Sequence, residues 1–403
     1  MLGPPVRRSR RARRRCRRRR TGRRRRAWNE EERQVLDAVE RVCRDVIAPN
    51  AARYDESEEY PRESMDAIHE LGLNALFVPE AYGGAPMRYR LYLRVVQLIS
   101  AACASTGIIY ATTFHGLKSL IDFGTEEQKQ RLLPRIAEGG LGALAITEPN
   151  AGSDATGMTT RFRPDGDDIV VDGGKVFISN GDVADLILLF GKWSEIDNAK
   201  AAISTLIVEK STPGFSIGRV ESKMGHRAAP TVELKFEGAR VPRANLIGNP
   251  GDGLSILFQC LNKSRPSVAA HALGIATAAF QHMVSYMNER QQSGRRVIDF
   301  QGNQFSLADM ATDLAMCEAW LDYVAELVES GSSDIGVESS MVKMRASDLA
   351  MRIATEAVQM HGGYGYIRDF PVERLMRDAK ITQIWEGTNQ VHRQLIGRSF
   401  AQK

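Results

Sequence analysis

Cysteine is scarce and never paired in this chain. Its 403 residues hold five, Cys16, Cys43, Cys103, Cys260 and Cys317, all far apart. That excludes the close spacings of zinc or dithiol sites, sets the expectation of no metal, and suits reduced thiols in a reducing compartment. Long apolar runs are lacking too. Nothing approaches the roughly 20 residues a membrane helix needs, so no membrane partner is expected and the cytoplasm is the expected location, or the mitochondrial matrix in a eukaryote. There is no internal repeat. Acids are also absent from the strongly basic N-terminal stretch: residues 1–26 carry fifteen arginines and no Asp or Glu.

That absence explains the net charge of +5. Fifteen of the 54 basic residues sit in this tail, leaving 39 against 49 acids, so the remainder carries ten acids in excess. A pure polycation cannot build a core and is expected to be disordered alone. It could bind nucleic acid or serve as an address. A mitochondrial presequence fits less well, because the apolar helical face is missing. The plainest expectation is that translation starts later. Hydrophobic content of 43% and charged content of 26% suit an ordinary globular enzyme of two or three domains.

Behind the tail three regions follow. Residues 27–140 have helical spacing, with Asn29 as a helix N-cap ahead of three glutamates and "TEEQKQRLLPRIAEGG" as a capped shorter helix. "LYLRVVQLISAACASTGIIYATTFHGLKSLI" is apolar on most sides and predicts a buried helix pair. In residues 141–250 the period drops to two. "DDIVVDGGKVFISNG" reads as two strands around Gly173-Gly174, and further short strands at regular intervals predict a small barrel or sandwich. Residues 251–403 return to long helical segments, consistent with a bundle. The expected fold class is α+β, mostly α: an N-terminal helical domain, a central β domain and a C-terminal helical domain.

Four short stretches carry chemistry. "LAITEPNAGSDATG" could bring backbone N–H groups and the Thr147 and Ser153 hydroxyls to a flat ligand, or be a turn with a Ser-Asp cap. In "KVFISNG", Phe177 and Ser179 would share one face of a strand, for stacking and hydrogen bonding, or simply be a half-buried strand. "QMHGGYGY" suits close backbone approach to a phosphate or adenine, though many helix ends look alike. "TQIWEGTNQVHR" places Glu386 between Trp385 and a glycine. A carboxylate against an indole loses water and its charge becomes costly; a helix-start residue favoured by the helix dipole is the plainer alternative.

Their order, TEPNAGSD, KVFISNG, RPSVAA, QMHGGYGY-IRDFPVERLMRDAK and IWEGTNQ, resembles the acyl-CoA dehydrogenase family from about Trp28 to the C-terminus. The resemblance implies FAD as cofactor. It assigns flavin contacts to Leu144, Ala145, Ile146, Thr147 and Ser153, and to Phe177, Ile178 and Ser179, with Ser153 also touching the substrate. It places Asn262, Lys263, Ser264 and Arg265 at the pantetheine arm, with an amide where the family has an acid. Arg290 to Gly294 match an Arg-x-x-Phe-Gly motif reaching a neighbouring subunit's FAD, with Ser293 in place of the Phe. Gln301, and Gln359, Met360, His361, Gly362 and Gly363, are further FAD contacts. Glu386 matches the base, Gly387 a substrate contact, and Thr388, Asn389 and Gln390 FAD contacts.

So read, the implied reaction is α,β-dehydrogenation of an acyl-CoA or acyl-carrier-protein thioester. The weakly acidic α-proton needs a base stronger than an ordinary Glu, and burial beside an aromatic is the usual means. The developing enolate needs donors, which the family finds in the base residue's own N–H and the cofactor. Some relatives carry the base where this chain has Ser264, which cannot do that work unaided. The resemblance also implies a homodimer or homotetramer, electron-transfer flavoprotein as acceptor, and a place in fatty acid metabolism. Oxidases and flavin monooxygenases share the fold; the latter commonly lack the Glu. A nucleic-acid-binding role through the tail leaves the other motifs unexplained, and an acidic body repels nucleic acid.

Overall fold

The computed structural model describes residues 28–332 and 334–401, so every expectation about residues 1–26 lies outside the described part. The order is α, β, α. Helix α1 (Glu30–Val42) opens with a capping box in which Asn29 accepts from the Glu32 N–H and Glu32 from the Asn29 N–H. After a π-helical turn come α2 (Ala48–Ser57) and α3 (Arg62–Glu70). The expected buried pair is α4 (Tyr89–Ala102) and α5 (Ala104–Phe123), broken at Cys103, whose φ of −154° is extended. Helix α6 (Glu126–Ala137) carries the Thr125–Gln128 capping box.

The central region is one sheet of eight strands: β1 (Gly142–Ala145), β2 (Arg161–Asp165), β3 (Asp168–Ser179), β4 (Leu186–Trp193), β5 (Ile203–Glu209), β6 (Phe215–Val220), β7 (Thr231–Pro242) and β8 (Leu246–Ile247). Its path is β6-β7-β3-β2-β4-β5-β8, with β1 parallel to β4. Here the sequence reading needs correcting. Gly173-Gly174 is not a hairpin turn but lies within the 12-residue β3, where Gly173 (φ 141°) sits at a register shift against β7. The hairpin is one step earlier, between β2 and β3, around Gly166 at φ 61°. A bulge lets a strand bend without ending, and a glycine pair signals either event.

The C-terminal region holds α7 (Gly253–Glu289), a small β9 (Gln291–Gln292) and β10 (Arg295–Arg296) hairpin, α8 (Gln301–Glu329), α9 (Gly336–His361), α10 (Val372–Ile381) and α11 (Asn389–Ser399). Helix α9 packs along α7, and α4 and α5 pack against α7 from the other domain. Among the described residues no helix is long and apolar enough to cross a membrane. Two local features position the site. Gly116 lets α5 close on β1, since a Cβ there would lie 2.5 Å from the Ala143 carbonyl oxygen. Pro266, inside α7, lacks the N–H that would bond the Asn262 carbonyl and crowds the turn before it. Ser339 Oγ supplies the missing donor to Asn262 at 2.8 Å, and the Tyr89 hydroxyl donates to the next carbonyl, Lys263, at 2.5 Å.

Candidate active site

The segment between α10 and α11 makes a tight turn in which Glu386 (φ 53°) and Gly387 (φ 93°) are both left-handed. For Glu386 that costs about 1 kcal/mol, and such strain persists only where surroundings over-determine it. The surroundings are two buried cations. Lys343 Nζ, on α9 and wholly buried, donates to the Gly387 carbonyl at 2.7 Å and to Asn389 Oδ1 at 3.1 Å. Arg265 Nε, on α7, donates to the Glu386 carbonyl at 3.4 Å. Asn389 completes the frame, its Nδ2 reaching Ser347 Oγ at 2.9 Å and Asp348 Oδ1 at 2.7 Å. The glycine is required twice over, because a Cβ on Gly387 would also press on His392 Nε2 at 3.3 Å. The helix-start alternative for Glu386 fails here: the cap of α11 is Thr388, whose hydroxyl accepts from the Val391 N–H.

The Glu386 side chain turns toward α5 and α7. Ser264 Oγ donates to its Oε2 at 2.7 Å, and His115 Nδ1 lies 3.7 Å from its Oε1, with the carboxylate side chain 13% exposed. Burial holds the His115 imidazole below its usual range although Glu386 pulls the other way, so it is neutral. The Glu386 N–H donates to no atom of the described residues. Trp385 is anchored by two histidines. Its ring packs among His226 and His271, at centroid distances of 5.2 and 5.7 Å. The side chains recorded against the Glu386 carboxylate are Ser264 of α7 and His115 of α5. Beneath Trp385 the two imidazoles share a 2.7 Å Nε2···Nε2 hydrogen bond, and Ser100 Oγ meets His271 Nδ1 at 2.7 Å.

A second group of residues surrounds the loop after β1. Glu148, 4% exposed, accepts from the Thr159 and Thr160 N–H groups, from both their hydroxyls, and from Lys175 Nζ at 2.7 Å. Lys175 also bonds the Ile146 carbonyl at 3.0 Å, so this pair shapes the loop. Ser153 is exposed, Leu144, Ile146 and Thr147 half-buried, and Ala145 wholly buried, which leaves only its backbone for a ligand. On neighbouring β3, strict alternation does not hold. Phe177 is left-handed (φ 60°) at a register shift and 64% exposed, whereas Ile178 is buried and Ser179 half-buried. A large ring held out to solvent on strained backbone, next to Val176 whose N–H donates to the Thr147 carbonyl, fits a flat cofactor such as a flavin.

The third group is a cavity of about 450 Å³ lined by Tyr286, Arg290, Gln359, His361, Gly362 and Tyr364 among others. The β9–β10 turn, with Ser293 (φ 50°) and Gly294 (φ 76°) both left-handed, follows Arg290, whose guanidinium lies 5.7 Å from the Tyr364 ring centre. Met360 and Gly363 also line this cavity, while Gln301 opens α8, exposed. Of the remaining sequence candidates, Lys263 pairs with Asp122 at 2.6 Å, Asn262 accepts from Ser339 through its carbonyl, and Gln390 is exposed. The Asn389 amide is committed to the frame of the turn. Sequence reasoning missed Lys343 and His115, whose partners are far away in the chain, and the parts played by Glu148 and His392, which lie inside the quoted motifs.

Family profiles for the N-terminal, middle and C-terminal domains of acyl-CoA dehydrogenases match residues 29–140, 143–239 and 251–401. An acyl-CoA dehydrogenase of Bacillus subtilis is 42% identical over 371 residues, covering 92% of this chain and 97% of its own. The structure of butyryl-CoA dehydrogenase from Megasphaera elsdenii matches with a TM-score of 0.89 at 36% identity, over 93% of this chain and 98% of that one. A glutaryl-CoA dehydrogenase from Mycobacterium smegmatis, in complex with FADH2, matches with a TM-score of 0.86 at 26% identity, over 93% and 96%.

Proposed function

The chain belongs to the acyl-CoA dehydrogenase family, FAD-dependent oxidoreductases that desaturate acyl thioesters, and we propose that Glu386 is its base for the α-proton. The observation that carries this reading is the strained turn. It aims a mostly covered carboxylate at the gap between α5 and α7, with one hydroxyl donor and room for a proton. FAD, when bound, supplies the acceptor for the β-hydride. The protein's share is the rest. Glu386 takes the α-proton, Ser264 orients the carboxylate, and the free Glu386 N–H is available to the thioester oxygen as negative charge develops there. Turning the Glu386 and Gly387 carbonyls onto Arg265 and Lys343 keeps their negative ends away from that oxygen.

The cofactor cradle of one copy is Leu144–Thr147, Ser153, Phe177–Ser179 and Thr388–Gln390, with Ala145 acting through its backbone. The cavity around Arg290 and Gln359–Gly363, with Gln301, serves the FAD of a second copy, which makes a homodimer or homotetramer the working form. Ser153, Asn262–Arg265 and Gly387 flank the pantetheine arm of a CoA or carrier-protein thioester. Electron-transfer flavoprotein is the acceptor in this reading, fatty acid metabolism the setting and the cytoplasm the location. The test is Glu386→Gln, nearly the same shape but unable to take the proton. It should retain FAD and bind acyl-CoA while the rate of flavin bleaching under anaerobic conditions falls at least about 100-fold. Near-normal bleaching would overturn the assignment.

A further inference from the structure

Lys343 is a buried cation without an acid of its own. Among the described residues its Nζ meets only neutral acceptors, the Gly387 carbonyl at 2.7 Å and Asn389 Oδ1 at 3.1 Å. The charged groups facing it are Arg265, Asp348 and Glu386, and His392 lies alongside. Asp348 is already engaged, its Oδ1 accepting from Asn389 and Gln383 at 2.7 Å each and its Oδ2 from Arg393 at 2.8 Å. Arg265 has the same sign, and burial drives His392 down to about 3, neutral at working pH. Among the described residues, the acid facing it that has an oxygen accepting no hydrogen bond, Oε1, is Glu386. If the turn needed a donor alone, a neutral side chain would supply it without burying a charge, which is expensive. An ammonium there has an electrostatic effect that a neutral donor lacks.

We propose that Lys343 is a positioning residue for the Glu386 carboxylate: it fixes the left-handed Glu386–Gly387 turn through the Gly387 carbonyl, and its charge favours the ionised carboxylate over the acid. The inference rests on the reading of Glu386 as the base. In the resting enzyme the base must be ionised to accept a proton. An ammonium beneath the turn supports the charged form without occupying the carboxylate's own lone pairs, as a direct ion pair would. Burial lowers Lys343 to about 7 while Glu386 pulls it back up.

Lys343→Met, Lys343→Gln and Lys343→Arg separate charge from hydrogen bonding. With an artificial electron acceptor, the acid limb of kcat/KM should move up by about one pH unit in the Met and Gln variants, the low end of what a neighbouring charge does. Arg should leave the limb in place and restore most of kcat, whereas a purely structural role would lower activity in all three with the limb unmoved. A limb that stays put in both neutral variants overturns the inference. Should those variants fail to fold, Glu386→Gln gives an independent reading. Without its anion Lys343 should lose its proton more easily, and the rise of melting temperature with pH on the alkaline side should begin at lower pH than in the parent. Superimposable profiles would overturn it as well. Glu386→Gln also separates the two ideas. Retained turnover there refutes the base assignment, while a dead enzyme with an unchanged melting profile refutes only the part given to Lys343.

Discussion

Two glutamates, Glu148 and Glu386, are both largely shut away from solvent, and the structure uses them in opposite ways. Glu148 accepts five hydrogen bonds: two backbone N–H groups, two threonine hydroxyls and Lys175. Glu386 accepts one, from Ser264, and has a neutral imidazole nearby. Burial works against the charge on Glu148, but Lys175 and the threonines outweigh it and hold its carboxyl at about 2. Every lone pair is spoken for, so it cannot take a proton without dismantling its loop. Glu386 has acceptor capacity left over. The lysines divide in the same way: Lys175 is matched to its own acid, and Lys343 to two neutral oxygens. A buried carboxylate that is saturated serves as scaffold, and one left partly unsatisfied is free for proton transfer.

The comparison breaks most sharply at Glu148. Glu148→Ala leaves the Lys175 ammonium buried without its partner, and losing one member of a buried pair costs about 3–5 kcal/mol. We expect urea denaturation to show a loss of that size together with weaker FAD retention, while sites that do hold FAD turn over nearly normally. Glu386→Gln should do the reverse, losing turnover with little change in stability. Should Glu148→Ala remain stable and lose its chemistry, the two glutamates have been assigned the wrong way round.

How much of this contrast could be read in the sequence depends on distance along the chain. Glu386 was legible because Trp385, Gly387 and the following Thr-Asn-Gln lie in one unbroken segment, as was the α–β–α order, which rests on local periodicity. Glu148 stood in view within TEPNAGSD, yet its lysine is 27 residues away and its threonines 11 and 12. Lys343 lies 44 residues from Gly387 on a helix where a lysine reads as a solvated face. Phe177 defied the period-two rule because a bulge inserted an extra residue, and the glycine pair before it was mistaken for a turn. The ring contacts of Trp385 with His226 and His271 were hidden as well, since those histidines lie more than 100 residues away. What escapes a sequence reading is mostly polar and long-range.

A smaller effect, one of pH, sharpens the contrast between the pairs. Glu148 has a folded value of about 2, below its ordinary 4.5, so the unfolded chain binds more protons between those values. Its contribution is therefore present above about pH 4.5 and lost as pH falls toward 2. Lys343 has a folded value of about 7 against an ordinary 10.5, and again the unfolded chain binds more protons between them. Its burial opposes folding below about 7, and that opposition fades as pH rises toward 10.5. Removing Glu148 should flatten the acid side of the stability profile, and removing the Lys343 charge the alkaline side. Denaturation midpoints across both ranges check this; a swap of sides between the variants would contradict it.

The smallest effect expected is that of Ser264→Ala. Among the described residues its hydroxyl is the single donor to the Glu386 carboxylate within 3 Å, so its loss tests whether the base depends on a hydrogen-bonding shell, as Glu148 does, or on the turn that carries it. Such a bond is worth roughly 1 kcal/mol net, less than tenfold in rate, and the Glu386 turn keeps its hold on Arg265 and Lys343 whether or not the serine is present. We therefore expect kcat/KM to fall by less than an order of magnitude. A drop as deep as that of Glu386→Gln would mean that Ser264 takes part in the proton transfer itself, and the backbone turn would then no longer be enough to account for the base.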